Sequence, residues 1–159
     1  MITVRIATPE DTPAAERVSA LATETLRETY RLIPNPPGDG SPRPALTRLV
    51  AEVEGRIVGT VQYGVRGSRL HIIGLMVHPD HRRKGVARAM IESLAGTARD
   101  LGMTHLSLYT IRETGNVGIF ERMGFAVIRE ETAVWAESDR FDALTDVYVE
   151  RLITDENSP

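Results

Sequence analysis

A basic turn that joins a predicted strand to a predicted helix holds the residues best placed to do chemistry. The turn is dense in cationic side chains, namely Arg82, Arg83, Lys84 and Arg88. The first amides of a helix lack partners inside the helix and carry the positive end of its dipole, so they bind phosphate or pyrophosphate groups. Gly85 would let the backbone approach such a ligand closely, and Ala87 would keep the next contact small. The segment from Leu75 to Ala87 therefore predicts an anion site.

Two familiar ways of binding phosphate are excluded. No G-x-x-x-x-G-K-[ST] segment is present, so the chain has no standard P-loop, and no G-x-G-x-x-G follows a strand. The anion must therefore belong to another phosphate-bearing group.

The absence of cysteine excludes a zinc–thiolate site and a cysteine nucleophile. Metal-ligand spacing is also lacking among His78, His81 and His105, so we expect no metal.

Length and composition limit the class of protein. A chain of 159 residues suits one domain, which we predict to span residues 1–153, with a disordered tail at 154–159. The net charge of −3 argues against a nucleic-acid partner and makes the basic turn stand out. No apolar run approaches the roughly 20 residues that span a membrane. We therefore expect no membrane partner and a cytoplasmic location.

Periodicity and turn residues predict a single α/β domain of the α+β type with a mixed sheet. The predicted strands are Thr3–Ala7, Arg48–Val53, Arg56–Val65, Arg69–Val77, Thr104–Thr110, Phe125–Trp135 and Leu144–Leu152. The predicted helices are Ala14–Tyr30, Gly85–Asp100 and Asn116–Met123. Short turns make the second, third and fourth strands an antiparallel meander, whereas the intervening helix makes the fifth strand parallel to the fourth. The last two strands could form an antiparallel pair.

The segment from Pro34 to Pro44 is rich in proline and glycine and is predicted to be a loop. It could be a solvent-exposed connection. It could equally face a substrate, because long loops in compact domains often carry function.

In their order along the chain, these segments resemble the GNAT superfamily of N-acetyltransferases. The hallmark of that family is glutamine or arginine, two residues, glycine, one residue, and glycine or alanine, which Arg82–Ala87 matches. The pattern Leu75-x-Val77-x-Pro79 resembles the end of the family's fourth strand. The segment Ile119–Phe125 resembles its helix followed by Gly-Phe, and the order of elements agrees over nearly the whole chain.

This resemblance implies an acetyl-CoA-dependent N-acetyltransferase whose fourth and fifth strands splay apart around the cofactor. The backbone amides of Arg83–Arg88 would bind the pyrophosphate, and backbone groups of Leu75–Val77 would pair with the pantetheine arm. An amide near Met76 or Val77 would polarise the thioester carbonyl, as an oxyanion hole does. A primary amine, on a small molecule or a peptide, would then attack directly, without a covalent enzyme intermediate.

The general base has three candidates on or beside predicted strands. His71 occupies the position at which some histone-type members of the family carry a glutamate base, and a histidine can act at neutral pH. The alternative for His71 is a surface strand histidine beside a turn. Glu52 and Glu54 are the other candidates for the base, and either could equally be solvated.

Two positions depart from the family pattern. Phe120 stands where a tyrosine often protonates the leaving thiolate, so it can pack against the pantetheine but has no proton to donate. Tyr109 or Tyr148 could substitute as the acid, although packing in the core is the other use of each. Glu113 occupies the position of an asparagine that often contacts the cofactor, and we expect Asn116 to lie near the cofactor instead.

Other interpretations stay open from the sequence. A non-catalytic acyl-CoA-binding or regulatory domain is supported by Phe120, and a nucleic-acid-associated protein would use the arginine cluster. An exposed final strand pair could mediate a homodimer. We interpret Trp135 as a packing or interface residue rather than as part of a ligand cage.

Overall fold

The computed structural model describes residues 1–33 and 45–154, so the predicted loop and residues 155–159 of the predicted tail lie outside the described residues. The strands are β1 Ile2–Ile6, β2 Arg31–Leu32, β3 Thr47–Val53, β4 Arg56–Arg66, β5 Arg69–Val77, β6 His105–Ile111, β7 Ala126–Thr132, β8 Ala136–Glu137 and β9 Thr145–Leu152. The helices are α1 Thr12–Leu26, α2 Val86–Asp100 and α3 Asn116–Arg122. Short 3-10 turns occur at Pro9–Asp11, Pro79–His81 and Arg112–Thr114.

A seven-stranded sheet runs in the order β1-β3-β4-β5-β6-β9-β7, and β2 pairs with β8 in a separate ribbon. Neighbouring strands of the large sheet are antiparallel except for β5 and β6. The predicted mixed sheet is confirmed, with β5 and β6 as its predicted fourth and fifth strands. The predicted pairing of the last two strands is also confirmed, although β7 ends at Thr132 rather than at Trp135.

The parallel strands β5 and β6 share only a short ladder. Residues 69–71 of β5 pair with residues 105–107 of β6, and these two strands form no later pair although β5 continues to Val77. Beyond His71 the strands therefore diverge. This divergence confirms the splay that the resemblance implied.

A bulge bends β5 just after it leaves β6. Ile73 pairs with Gln62 of β4 and Met76 pairs with Thr60, so two residues of β5, Gly74 and Leu75, oppose one residue of β4. Gly74 has a φ of +64°, a backbone conformation that glycine adopts without strain. Because bulges re-aim the strand that carries them, the end of β5 turns towards the opening.

Helix α1 covers one face of β4 and β5. Thr8 and Asp11 form a capping box at the preceding 3-10 turn. Pro13 lies in the first turn of α1, where a backbone N–H would have no hydrogen-bond partner within the helix, so proline costs no hydrogen bond there. The helix ends at Leu26, before the predicted end at Tyr30. Its buried stripe consists of Ala15, Val18 and Ala22.

Helix α2 covers the opposite face of the sheet. Its buried stripe includes Val86, Met90, Ile91, Leu94, Ala95 and Ala98. The approach to the sheet is close at Gly59, where a Cβ would lie 2.9 Å from both Met90 Cε and Val86 Cγ1. Burial of each large aliphatic side chain contributes about 1.5–3 kcal/mol. This packing therefore holds the start of α2 firmly against the sheet beside β5.

Candidate functional site

A cleft of about 730 Å³ opens where β5 and β6 diverge. Its walls come from the end of β5, the turn before α2, the start of α2, α3 and the C-terminal part of α1. The predicted cofactor-binding residues that line this cleft are Leu75, Met76, Val77, Arg82, Arg83, Gly85, Val86, Ala87, Arg88, Asn116 and Phe120. Lys84 is exposed and does not line the cleft.

The turn before α2 is shaped to present backbone amides. Arg83 has a φ of +62° and Gly85 a φ of +85°, and left-handed residues within a turn direct successive amides to one side. The helical ladder begins with the bond from Ala89 N to Gly85 O at 2.9 Å, so the amides of residues 86–88 precede it. An anion at this corner would meet these amides and the positive end of the α2 dipole.

Cationic side chains surround the same corner. Arg82, Arg83 and Arg88 line the cleft, together with Arg122 from α3. The Arg82 guanidinium also donates to Thr25 Oγ1 at 3.3 Å, which links the turn to α1 across the opening. In a chain of net charge −3, this corner is locally positive and suits a phosphorylated ligand.

The edge of β5 that faces the cleft carries backbone groups that do not pair with β6. The ladder between these two strands stops at His71, so the cleft takes the place of a neighbouring strand beyond it. An extended ligand arm can add to such an edge as a strand would. Leu75, Val77 and Phe120 contribute apolar surface nearby. The cleft thus changes from apolar beside the strand to cationic beside the helix.

The residues of α3 form the wall opposite β5. Asn116 begins the helix, and its backbone amide donates to Thr114 Oγ1 at 3.2 Å. Phe120 is 8% exposed and meets Phe125 edge to face, with the ring centroids 5.7 Å apart. Among the described residues, no tyrosine lines the cleft. Phe120 therefore supplies a packing surface without a hydroxyl beside it to act as an acid.

Sequence patterns did not reveal the wall contributed by the end of α1 and the turn that follows it. Thr25, Leu26 and Thr29 line the cleft, together with Ala22 and Glu28. Their helical spacing is visible in the sequence, but the same spacing is typical of a face packed on a sheet. No local signal therefore separates a cleft wall from a core stripe at these positions.

His71 is buried. It is 4% exposed, its Nδ1 lies 2.8 Å from Ser107 Oγ on β6, and its ring centroid lies 5.6 Å from that of Tyr109. Burial, with a smaller effect from Arg66, lowers the pKa of His71 to about 4. The alternative of a surface strand histidine is therefore wrong, and the imidazole is neutral at pH 7. His71 does not line the cleft; it lies in the last pair before β5 and β6 diverge.

Tyr109 lies beside His71 on the sheet and does not line the cleft. Its hydroxyl accepts a hydrogen bond from Arg129 Nη2 at 2.8 Å, and its ring centroid lies 4.9 Å from that of Tyr148. Tyr148 donates to Glu150 Oε2 at 2.7 Å, and burial raises the pKa of Tyr148. Both hydroxyls thus have partners on the sheet surface.

Glu52 lies away from the cleft. It accepts a hydrogen bond from Arg5 Nε at 2.6 Å, and Arg5 also pairs with Asp11. Its strand, β3, is separated from β5 by β4. Glu52 therefore belongs to an ion-pair cluster near the start of α1 rather than to the cleft lining.

The described part of the chain contains no cluster of histidine, aspartate and glutamate able to hold a metal ion. Within residues 1–33 and 45–154, none of the helices is both long and apolar enough to cross a membrane.

Comparison with known proteins identifies the family. A family model described as the acetyltransferase (GNAT) family matches residues 15–125. An acetyltransferase of Pectobacterium atrosepticum is 37% identical over 82 residues, which are 50% of this chain and 57% of that protein. The similar segment thus spans little more than half of that relative.

Solved structures share the fold over nearly all of the chain. Nourseothricin acetyltransferase is 23% identical, with a TM-score of 0.70 over 96% of this chain and 99% of its own. An aminoglycoside 6'-N-acetyltransferase complexed with coenzyme A is 13% identical, with a TM-score of 0.69 over 98% of this chain and 99% of its own. The chain belongs to the acetyltransferase (GNAT) family, since the family model matches more than half of it. The family and the fold class expected from the sequence are thereby confirmed.

Proposed function

We propose that this protein transfers an acetyl group from acetyl-CoA to a primary amine by direct attack. The observation that carries this proposal is the cleft itself, in which a split sheet edge leads to helix amides and arginines. That arrangement suits a ligand with an extended arm and a pyrophosphate. The family assignment supports the same activity.

Different residues of the cleft bind different parts of the cofactor. The amides of residues 86–88 and the side chains of Arg82 and Arg88 hold the pyrophosphate, while the free edge of β5 holds the arm. Leu75 and Phe120 pack against its apolar parts. Asn116 contacts the cofactor from the opposite wall.

Bond changes in the transfer need no covalent enzyme intermediate. The amine nitrogen bonds to the thioester carbonyl carbon, and a backbone amide near Met76 or Val77 stabilises the developing oxyanion. The carbon–sulfur bond then breaks, and the sulfur leaves with its electron pair as the CoA thiolate. The amine loses one proton, and the thiolate ends as a thiol.

The path of the amine proton is a further part of the proposal. His71 is neutral at pH 7 and lies in the last pair before β5 and β6 diverge; its ring can accept a proton transiently, but with a pKa of about 4 it cannot store one. We propose that His71 acts through the hydrogen bond to Ser107, with Tyr109 packed on its ring. The ion pair of Glu52 with Arg5 argues against Glu52 as the base.

Phe120 favours one competing function, a domain that binds acyl-CoA without turnover. A CoA thiolate is a sufficiently good leaving group to depart without a tyrosine acid, so Phe120 does not prevent catalysis. The sequence contains no cysteine, so every thiol detected in an assay comes from CoA. We expect thiol release when acetyl-CoA is mixed with a panel of primary amines. Tight acetyl-CoA binding with no thiol release from any amine would instead support the binding domain.

Several expectations from the sequence stay predictions. These are the domain limits of 1–153, the homodimer through the last strands, the cytoplasmic location and the absence of a nucleic-acid partner. None of them is needed for the proposed reaction.

A further inference from the structure

Arg122 is a cleft residue with no role in the proposed binding of the arm and the pyrophosphate. It lies in the last turn of α3, on the wall of the cleft opposite β5. Within residues 1–33 and 45–154, its side chain forms no hydrogen bond or ion pair. By contrast, Arg112 pairs with Glu130, and Arg151 pairs with Glu92 at 2.7 Å. The Arg122 guanidinium therefore has its donors available for a ligand.

The part of α3 that lines the cleft is buried at some positions and exposed at others. Phe120 is 8% exposed and Met123 is 6% exposed, whereas Arg122 is exposed to solvent. Because all three residues line the cleft, α3 presents apolar side chains in its depth and a guanidinium at its rim. Binding of an anion at this rim needs little desolvation of the arginine, which would be costly in the interior.

Acetyl-CoA carries more negative charge than the pyrophosphate alone. The pyrophosphate joins the pantetheine arm to a ribose, and the same ribose carries a separate phosphate on its 3′ oxygen. A phosphate monoester of this kind has a charge of about −1.5 to −2 at pH 7. In the proposed function the amides of residues 86–88, Arg82 and Arg88 hold the pyrophosphate. We therefore expect a further cation to meet the 3′-phosphate.

The covalent structure of the cofactor restricts where the 3′-phosphate can lie. Only the ribose separates it from the pyrophosphate, so it must lie close to the start of α2 once the pyrophosphate is bound there. Repulsion between the phosphates favours a direction away from the pyrophosphate. The facing wall of the cleft is α3, and Arg122 is the only basic residue among the described α3 residues that line it.

A purely structural role for Arg122 makes a different prediction. A cation in the last turn of a helix interacts favourably with the helix dipole. That interaction would affect the stability of α3, and it would affect the binding of every cofactor analogue to the same extent. Cofactors that differ in the 3′-phosphate alone therefore separate the two roles.

We propose that Arg122 binds the 3′-phosphate of acetyl-CoA from the α3 wall, so that the protein discriminates against thioesters that lack this phosphate. The inference rests on the proposed function, whose donor specificity it defines. Arg122 sets this specificity and takes no part in bond making.

A matched pair of cofactors tests this specificity. Acetyl-CoA and acetyl-3′-dephospho-CoA differ only in the 3′-phosphate, and we expect the wild-type protein to bind acetyl-CoA roughly tenfold more tightly, since a charge-assisted contact is worth about that factor. Arg122→Gln should raise the Kd for acetyl-CoA by the same factor and leave the Kd for the dephospho analogue unchanged. Isothermal titration calorimetry measures all four Kd values.

Two further variants serve as controls for Arg122→Gln. Arg17→Gln removes an exposed charge of α1 outside the cleft lining and should change neither Kd. Arg83→Gln removes a cleft arginine on the side of α2 and should preserve the preference for acetyl-CoA. Loss of the preference in Arg83→Gln instead of Arg122→Gln would overturn the proposal. Equal weakening of both cofactors in Arg122→Gln would do the same, because it would indicate a structural role.

The wild-type protein alone separates this inference from the proposed function. Equal Kd values for the two cofactors would refute the role of Arg122 and leave the proposed transfer intact, because the transfer needs only the thioester. Absence of binding for both cofactors would instead refute the proposed function, and with it this inference.

Discussion

The two walls of the proposed cofactor cleft are built in different ways. One wall relies chiefly on one contiguous segment, 75–88, whose backbone amides and free strand edge line the cleft opposite Asn116 and Phe120. The other wall, as proposed, works through side chains of α3, with Phe120 packed on the arm and Arg122 on the 3′-phosphate. The first wall therefore depends on the conformation of the backbone, and the second depends on the identity of its side chains.

This difference shows where a change in sequence is tolerated. A backbone site accepts many side chains but fails when the backbone conformation or the space in front of it changes. A side-chain site keeps its fold under substitution and changes its ligand instead. Substitutions on the two walls should therefore have effects of different size and kind.

The largest effect is expected from Gly85→Asp on the wall of segment 75–88. The new carboxylate would lie among the amides that face the pyrophosphate, and juxtaposed like charges cost several kcal/mol, so the Kd for acetyl-CoA should rise by roughly a thousandfold. Isothermal titration calorimetry measures this change.

Gly102→Asp provides the matched control for that variant. Gly102 follows the end of α2 with a φ of +72°, close to the +85° of Gly85, and a Cβ there would meet no atom within 4 Å. It shares the backbone strain but lies outside the cleft lining. Similar Kd values for the two variants would contradict the cofactor assignment.

A second expected effect concerns His71, which lies in the last pair before β5 and β6 diverge. The pKa of His71 is near 6.5 in the unfolded state and near 4 in the folded state. Acidification therefore protonates His71 first in the unfolded chain. The His71 contribution to stability is present above pH 6.5 and falls by about 3 kcal/mol between pH 7 and pH 4.

His71→Gln should remove this dependence, because the amide can keep a hydrogen bond to Ser107 but does not titrate in this range. Urea unfolding at several pH values gives the difference between wild type and variant. Parallel curves for the two proteins would show that His71 is not held neutral by burial.

A smaller effect is expected from Arg88→Ala at the start of α2. Loss of one charge-assisted contact to a phosphate should weaken acetyl-CoA binding about tenfold, with a reduced salt dependence of the Kd. Arg56→Ala, at an exposed position outside the cleft lining, is the charge-matched control and should leave the Kd unchanged. Equal weakening in both variants would mean that only net charge matters.

The smallest effect is expected from Phe120→Tyr, which adds a hydroxyl to the cleft wall. If this position can supply an acid, kcat should rise by no more than about tenfold, with a new basic limb in the pH profile, since the thiolate leaves adequately without it. Phe125→Tyr changes the ring packed against Phe120, at a position outside the cleft lining, and should not raise kcat. A similar rise in both variants would point to packing rather than proton donation.

The parts of the molecule also differ in how far the sequence predicts them. The proposed cofactor corner is local, so a glycine, a basic run and a strand end within segment 75–88 are enough to predict it. The bulge at Gly74 had a usable signal, a glycine within a strand pattern, but its consequence for the strand edge depends on pairing with β4.

Residues whose surroundings come from distant segments were less predictable. His71 follows a turn and resembles a surface residue, yet pairing with β6 buries it against Ser107. Trp135 packs against an apolar cluster, as expected, but its hydrogen bond to Asp146 exists only once the chain turns from β7 to β9. Neither contact leaves a periodic or local trace in the sequence.

The three-residue ladder between β5 and β6 divides the chain as well as the sheet. Strands β1, β3, β4 and β5 come from residues before 78, and strands β6, β7 and β9 come from residues after 104. Each group can complete its own hydrogen-bonded ladder without waiting for the other, which shortens the loops that must close early in folding. We therefore expect the polypeptide to assemble as two consecutive units that dock last along the line where the cleft begins.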